Sequence, residues 1–541
     1  MISLTDFNLQ SVIVEDLVDL LINVLLGGQT HVRTVAAKAL GSMVRHLRST
    51  HACLQNLLDS LQTKLISSEI SSVERSGIAN GYAQVVTARH CEDPDQLNSH
   101  IINTLMPVLN TSNMDAHEGI LWVFVYLPTS MSTNRFAPIM EASLPAMLNE
   151  LALDKQALTE TVMRAVRVLI QKQEVGDLLP PVLDGCGSRC ENTRSCSIVL
   201  LGDILYQLAG EQDIVEKAEQ NLAQALETYT HREVLSVVYF ARSDGCAGVR
   251  SHALNVWKNV VSNTPRVLRQ IMPGLTSLIV SNLASDDVEE QQSAARCLAE
   301  LSTKLGDSIM RQVLPLFEDN LVHKSDLNMH RGVCIGLKEV IANLTKDNVQ
   351  NHLSKLVSIT RVALCSEDAV VRKLAAACFQ SLYSITGSDV LESIVPNLLA
   401  QISTPSTHTR AINGLAQILS LRSVSRELLP YLIPRLLKRP LSTDNLTVLS
   451  SIAGVTGSTL HSHLHFIVPI LVNAIPGSYD EVEKAIRDCI RSIFASVEDV
   501  RSLISEIVDK CSDESDDIRT EGCWMFGVIA EERKLWIYFV L

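Results

Sequence analysis

The stretch Ser366–Gly387, SEDAVVRKLAAACFQSLYSITG, decides the fold. Ser366 and Asp368 are N-cap residue types, whose short side-chain oxygens accept from the orphan amides of a first helical turn. Gly387 is a stop, because a residue without a Cβ turns out of a helix at no steric cost. Between them Val371, Leu374, Ala375, Cys378, Leu382 and Ile385 recur at helical spacing. The spacing predicts one amphipathic helix with an apolar face too broad to stay dry alone.

Versions of this helix recur along the chain. HVRTVAAKALGSMVRHL begins at His31 and SSVERSGIANGYAQVV at Ser71, with Arg33 and Arg75 in matching places. DAHEGILWVFVYLP follows, with Glu118 where an arginine is expected, then ALTETVMRAVRVLI from Ala157 and NTRSCSIVLLGDILYQLAG from Asn192. The series resumes at Arg250 and runs through VEEQQSAARCLAELSTKLG, then Arg331, Arg372 and Arg410. Less regular copies lie near 445–456 and 481–494, and the last copy holds Arg519. A second series interleaves: Pro107, Pro145, Pro180, Pro273, Pro315, Pro396, Pro434 and Pro469 each follow a large apolar residue. Proline removes a backbone hydrogen bond and bends a helix. A bent outer helix paired with an apolar inner one, repeating at about forty residues, is the pattern of an α-solenoid of the HEAT or armadillo kind. The expected fold is therefore all-α: one continuous, curved superhelix of antiparallel helix pairs over residues 1–541, about twelve to thirteen repeats long. Residues 211–229, EQDIVEKAEQNLAQALETY, are a longer acidic insertion between two repeats.

Composition agrees. The chain has 541 residues, 46% hydrophobic but only 4% aromatic, so aliphatic side chains do the packing. Glycine and proline, at 24 and 17, are too few for a β-rich or low-complexity chain. The thirteen cysteines are scattered, many inside apolar helical runs, as reduced core thiols of a cytosolic protein would be. A net charge of −14 argues against broad nucleic-acid wrapping, DNA included, but allows one local basic patch. No run reaches the length of a membrane span, and LWIYFVL (535–541) is far too short to be one. Both ends read as truncated, without a capped start or stop.

From Ser71 onward the residues resemble a known family. Ser71-Ser72-Val73-Glu74-Arg75-Ser76-Gly77 with Ala79, Gly81 and Ala83 is similar to a segment of the general control non-derepressible protein 1 family. These are large HEAT-repeat translational activators. The likeness continues at Tyr126-Leu127-Pro128, Leu200-Leu201-Gly202-Asp203 and Arg242-Ser243-Asp244. It is strongest from Val256-Trp257-Lys258 to Pro265-Arg266 and at Arg331-Gly332-Val333-Cys334-Ile335-Gly336-Leu337, and it returns at Ala363-Leu364-Cys365. It covers residues 30–500 in one order. The resemblance implies a cytosolic, ribosome-associated scaffold that relays amino-acid starvation to the kinase of initiation factor 2 alpha, with an ABC-type ATPase as co-activator. Part of the family looks like the HEAT region of fungal elongation factor 3, and this chain would begin in or just past that part. The family's kinase-binding segment lies further toward the C-terminus than this chain reaches, so no kinase-binding residue is carried over.

Two sets of residues are candidates for function. The arginines Arg33, Arg75, Arg250, Arg331, Arg372, Arg410 and Arg519 occupy one place in the repeat. They read either as a cationic ladder facing a ribosome or as a stacking device that bonds neighbouring carboxylates and helix-end carbonyls. Arg422, Arg426, Arg435, Lys438 and Arg439, opposed by Glu427 and interleaved with Tyr431, form the best basic patch. It reads either as a site for ribosomal RNA phosphates or as a solvated face. Cys186, Cys190 and Cys196 have no C-x-x-C pair, and the alternating histidines of HSHLHF point different ways on a helix, so neither set reads as a metal site. No phosphate loop, G-x-S-x-G or H-E-x-x-H occurs, and no catalytic residue or cofactor is assigned. A binding scaffold is expected, not an enzyme. The alternatives are a karyopherin-type nuclear transport receptor and a phosphatase regulatory subunit, which are also HEAT-built.

Overall fold

A computed structural model describes residues 11–27, 29–46, 51–89, 98–172, 175–209, 231–323, 326–402, 404, 407–476, 478–496 and 500–533. The insertion at 211–229 and the apolar tail at 535–541 lie outside the described residues. Every described element is helical, and no described helix is long and apolar enough to cross a membrane.

The stretch around Asp368 shows how each inner helix is built. Ala369–Thr386 is an α-helix whose N-cap, Asp368, accepts from the amides of Val370 at 2.6 Å and Val371 at 3.0 Å. It ends on Gly387 at φ 64, whose amide reaches back to the Tyr383 carbonyl. The buried stripe is Val371, Ala375, Ala376, Cys378, Phe379, Leu382 and Thr386. Leu374 and Ile385, expected in that stripe, are only half-buried, and Phe379 is fully inside. At 3.6 residues per turn the stripe drifts, and Phe379 falls between the positions that strict spacing favours.

The chain divides into two compact units, residues 1–278 and 279–541. In the first, the inner helices Thr30–His46, Ser72–Arg89, Met114–Ser130, Gln156–Lys172, Glu191–Ala209 and Ala247–Val260 pack on one another in chain order. Outer elements such as His51–Leu65, Thr133–Glu150 and Val175–Cys186 alternate with them. In the second, Val288–Leu305, Leu327–Asn343, Ala369–Thr386, His408–Leu419, Thr443–Thr456, Asp480–Ser496 and Asp516–Arg533 form the inner series. Asp307–His323, Lys346–Leu364, Ser388–Ile402, Arg422–Leu436, Leu464–Val472 and Val500–Cys511 are its outer elements. Each unit is an α-solenoid of HEAT type.

The proline series falls where expected, inside outer helices: Pro145, Pro180, Pro273, Pro315, Pro396, Pro434 and Pro469. Pro107 differs. Its element is a π turn, Ile101–Leu105, followed by a 3-10 turn, Met106–Asn110, with the proline at the start of the latter. A proline whose missing amide would break an α-ladder is accommodated by changing the ladder.

Glycine lets the inner helices approach the end of an earlier outer helix. A Cβ at Gly332 would lie 1.9 Å from the Leu283 carbonyl oxygen, and one at Gly77 2.1 Å from that of Leu25. Those carbonyls sit at the ends of outer helices, so only glycine admits so close an approach.

Candidate functional site

The turn before several inner helices is braced by an arginine a few residues into the helix. Arg372 Nη1 donates to the carbonyls of Ser366 at 2.9 Å and Glu367 at 2.8 Å. Arg250 does the same to Asp244 and Gly245, at 2.8 and 2.6 Å, and Arg519 to Asp513 and Glu514, at 2.7 and 2.9 Å. The carbonyls lie six and five residues before the arginine each time. They belong to the turn, where no helical partner exists, so the guanidinium supplies one.

Several of these arginines also reach a neighbouring repeat. Arg331 donates to Asp368 at 2.7 Å, and Arg410 pairs with Glu367, so one turn receives three guanidinium groups. Arg75 is 2% exposed and donates to Glu118 at 2.6 Å, Asp115 at 3.1 Å and the Ser67 carbonyl at 2.9 Å. Glu118 therefore stands in the arginine's place because the buried Arg75 needs a counter-charge. The Trp122 indole also donates to Glu118, at 3.2 Å, and Arg164 covers that indole, 5.0 Å from the ring centre. Arg33 is buried and reaches Thr30 of its own helix at 3.2 Å.

Two members of the series are not apparent from the sequence. Arg194 grips the Ser188 and Arg189 carbonyls, both at 3.0 Å, and holds Asp244 with two parallel bonds of 2.8 and 3.0 Å. The six-residue offset that marks Arg250, Arg372 and Arg519 would have found it. Gln291 takes the same place in the helix Val288–Leu305 and donates to the Leu283, Ser285 and Asn328 carbonyls. Its amide has the reach without the charge, so a search for cations passes over it.

The basic patch lies on the outer helix Arg422–Leu436 and the turn after it. Val424, Leu428, Leu429, Leu432 and Ile433 face inward, which leaves Arg422, Arg426, Arg435, Lys438 and Arg439 exposed. Arg435 lies over the Tyr431 ring, 3.8 Å from its centre. Glu427 is drawn off by the Tyr383 hydroxyl, which donates to it from an inner helix. That bond first, then burial and the carboxylate's charge, push the tyrosine up to about 12. Between Glu392 and Asp480 the only carboxylate side chains are Glu427 and Asp444. In a chain of net charge −14, this span is locally basic.

The 3-10 segment Gly457–His463 adjoins the patch, tied by Ser425 and Thr459 at 3.4 Å. It carries His461 and His463, and the outer helix after it carries His465 and the exposed Phe466. Burial, then the neighbouring His465, hold His463 below the ordinary imidazole range, so it is neutral at pH 7.

A family model described as stalled ribosome sensor GCN1-like, HEAT repeats, matches residues 428–537, which include part of the basic patch. The stalled ribosome sensor GCN1 of Homo sapiens is 35% identical over 495 residues, covering 88% of this chain and 18% of that protein. The eIF-2-alpha kinase activator GCN1 of Dictyostelium discoideum is 32% identical over 535 residues, covering 93% of this chain and 20% of that protein. Among solved structures, the karyopherin Kap121p bound to the C-terminus of the phosphatase Cdc14p overlaps 98% of this chain and 55% of its own, at 16% identity and a TM-score of 0.32. An overlap that loose carries no weight for function. The chain spans about a fifth of the length of the curated relatives it matches. On the ordered likeness along most of its length, it belongs to the GCN1 family of HEAT-repeat proteins.

Proposed function

We propose that this chain is a non-catalytic, ribosome-binding scaffold in translational control, and that its relay runs to the kinase of initiation factor 2 alpha. The reading is supported by relatives named as a stalled ribosome sensor and as eIF-2-alpha kinase activators, matched along most of the chain. The observation that carries it is the exposed basic face of Arg422–Leu436, set in an otherwise acidic chain. Phosphates of ribosomal RNA are the ligand such a face fits. The arginine series Arg33, Arg75, Arg250, Arg331, Arg372, Arg410 and Arg519 then serves the stacking of repeats and not RNA, since these side chains are spent on turn carbonyls, carboxylates or their own helix. A cytosolic location, the ABC-type ATPase as a further partner, and no role on DNA belong to the same proposal.

Sucrose-gradient fractionation of cells, with and without amino-acid starvation, tests it. The chain is expected to migrate with ribosomes. Migration at the top of the gradient, with capture of the nuclear-import GTPase instead, would favour the transport-receptor alternative.

A further inference from the structure

Two exposed aromatic rings lie on the helix of the basic patch and on the next outer helix. Tyr431 is 39% exposed on the outer helix Arg422–Leu436, and Phe466 is 43% exposed on the outer helix Leu464–Val472. Both helices pack on the 3-10 segment Gly457–His463 between them. Aromatic rings are scarce in this chain, at 4% of residues, and many are spent in cores, as Phe317, Phe379 and Phe494 are. Here Tyr431, Phe466 and Tyr479 are left in solvent, in the acid-poor span that also holds the five exposed cations of the patch. A surface for duplex phosphates needs only the cations. Exposed rings beside them match unpaired bases, whose faces stack on aromatics while the backbone lies along the charges. Arg435 already lies over Tyr431, a cation–ring stack that a base extends.

We propose that this face binds single-stranded RNA, with bases stacked on Tyr431 and Phe466 and phosphates held by Arg422, Arg426, Arg435, Lys438 and Arg439. The proposal rests on the reading of this face as the RNA-facing surface of the chain, and adds that its target is an unpaired loop. An acidic protein surface would satisfy the cations but would leave the rings without a role.

The test is fluorescence anisotropy with the full chain, using a labelled oligouridine and an RNA duplex of equal length. The single strand is expected to bind at least several-fold more tightly than the duplex. Tyr431→Leu and Phe466→Leu should each weaken oligouridine binding roughly tenfold while leaving the salt dependence unchanged. Arg422→Gln and Arg435→Gln should instead flatten the salt dependence. Tyr206→Leu, an exposed ring in the first unit, is the control and should change nothing. Circular dichroism melts confirm that each variant is folded. Equal affinity for both RNAs, or no effect of the two ring substitutions in folded protein, overturns the proposal. So does displacement of oligouridine by polyglutamate as readily as by unlabelled RNA, which would assign the face to an acidic protein. If the ring variants leave oligouridine binding intact while charge reversal still abolishes ribosome co-sedimentation, this inference fails and the scaffold reading stands. If oligouridine binds as described but the chain never migrates with ribosomes, the reverse holds.

Discussion

Arg331 and Asp368 stand 2.7 Å apart on successive repeats, and Asp368 at the same time caps the helix that begins at Ala369. One carboxylate thus starts one helix and ties it to its neighbour. Asp368→Ala should lower stability by about 1–3 kcal/mol, most of it from the missing cap and the rest from a partly exposed ion pair. Asp368→Asn keeps the cap oxygen and should cost less. A double-mutant cycle with Arg331→Gln, read by urea denaturation, separates the two contributions.

The same carboxylate predicts an acid limb. The Arg331 hydrogen bond, then the Val371 amide, hold Asp368 below the ordinary aspartate range, and His352, then Arg311, do so for Asp307. A carboxyl depressed in the folded state stabilises above its unfolded value, about 3.9, and that contribution is lost as pH falls through the lower folded value. Urea midpoints measured from pH 6 downward should fall less steeply in Asp368→Asn than in the parent. Parallel curves would show that the pair contributes nothing.

Tyr383 predicts the opposite limb. Its folded value, pushed up to about 12 by Glu427, means a contribution present below the unfolded value, near 10, and lost as pH rises through 12. Ultraviolet titration of tyrosinate should show a late-titrating group that disappears in Tyr383→Phe and moves earlier in Glu427→Gln.

Two glycines on inner helices should respond with opposite signs. Gly332→Ala drives a methyl group to 1.9 Å from the Leu283 carbonyl oxygen, so backbone must move, at about 1–3 kcal/mol or more. Gly454→Ala meets nothing within 4 Å in the helix Thr443–Thr456 and should stabilise by about 0.5–1 kcal/mol. Thermal melts of the two variants decide the matter.

Thiol reactivity should follow burial. Burial pushes Cys334 up to about 12, and the Cys378 thiol donates to the Cys334 carbonyl at 3.0 Å. Neither should react with a maleimide in the folded protein, whereas Cys523, exposed, should react first among the described cysteines, as peptide mapping will show.

Much of this was legible because the repeat states it many times over. Asp368 and Gly387 announce their helix, and Pro315, Pro396 and Pro434 mark outer helices by chemistry that depends on local backbone alone. What stayed hidden depends on which residues meet. Glu118 reads as a defect in a series of arginines unless Arg75 is known to lie beside it. Gln291 carries no charge to betray its role, and the carboxylate that Arg194 holds, Asp244, lies far along the chain. The five cations of the basic patch could be picked out by composition. Phe466 could not be joined to them, because it follows the less regular copy near 445–456 and lies some thirty residues beyond the cations.

The most direct measurement is ribosome co-sedimentation across a salt series, comparing the parent chain with Arg422→Glu/Arg426→Glu/Arg435→Glu. The parent should bind, with log affinity falling linearly in log salt. The variant should bind more weakly, with a slope shallower by about 0.7–0.9 for each phosphate it no longer neutralises. Identical binding and identical slopes in a folded variant would contradict the assignment of this face to RNA.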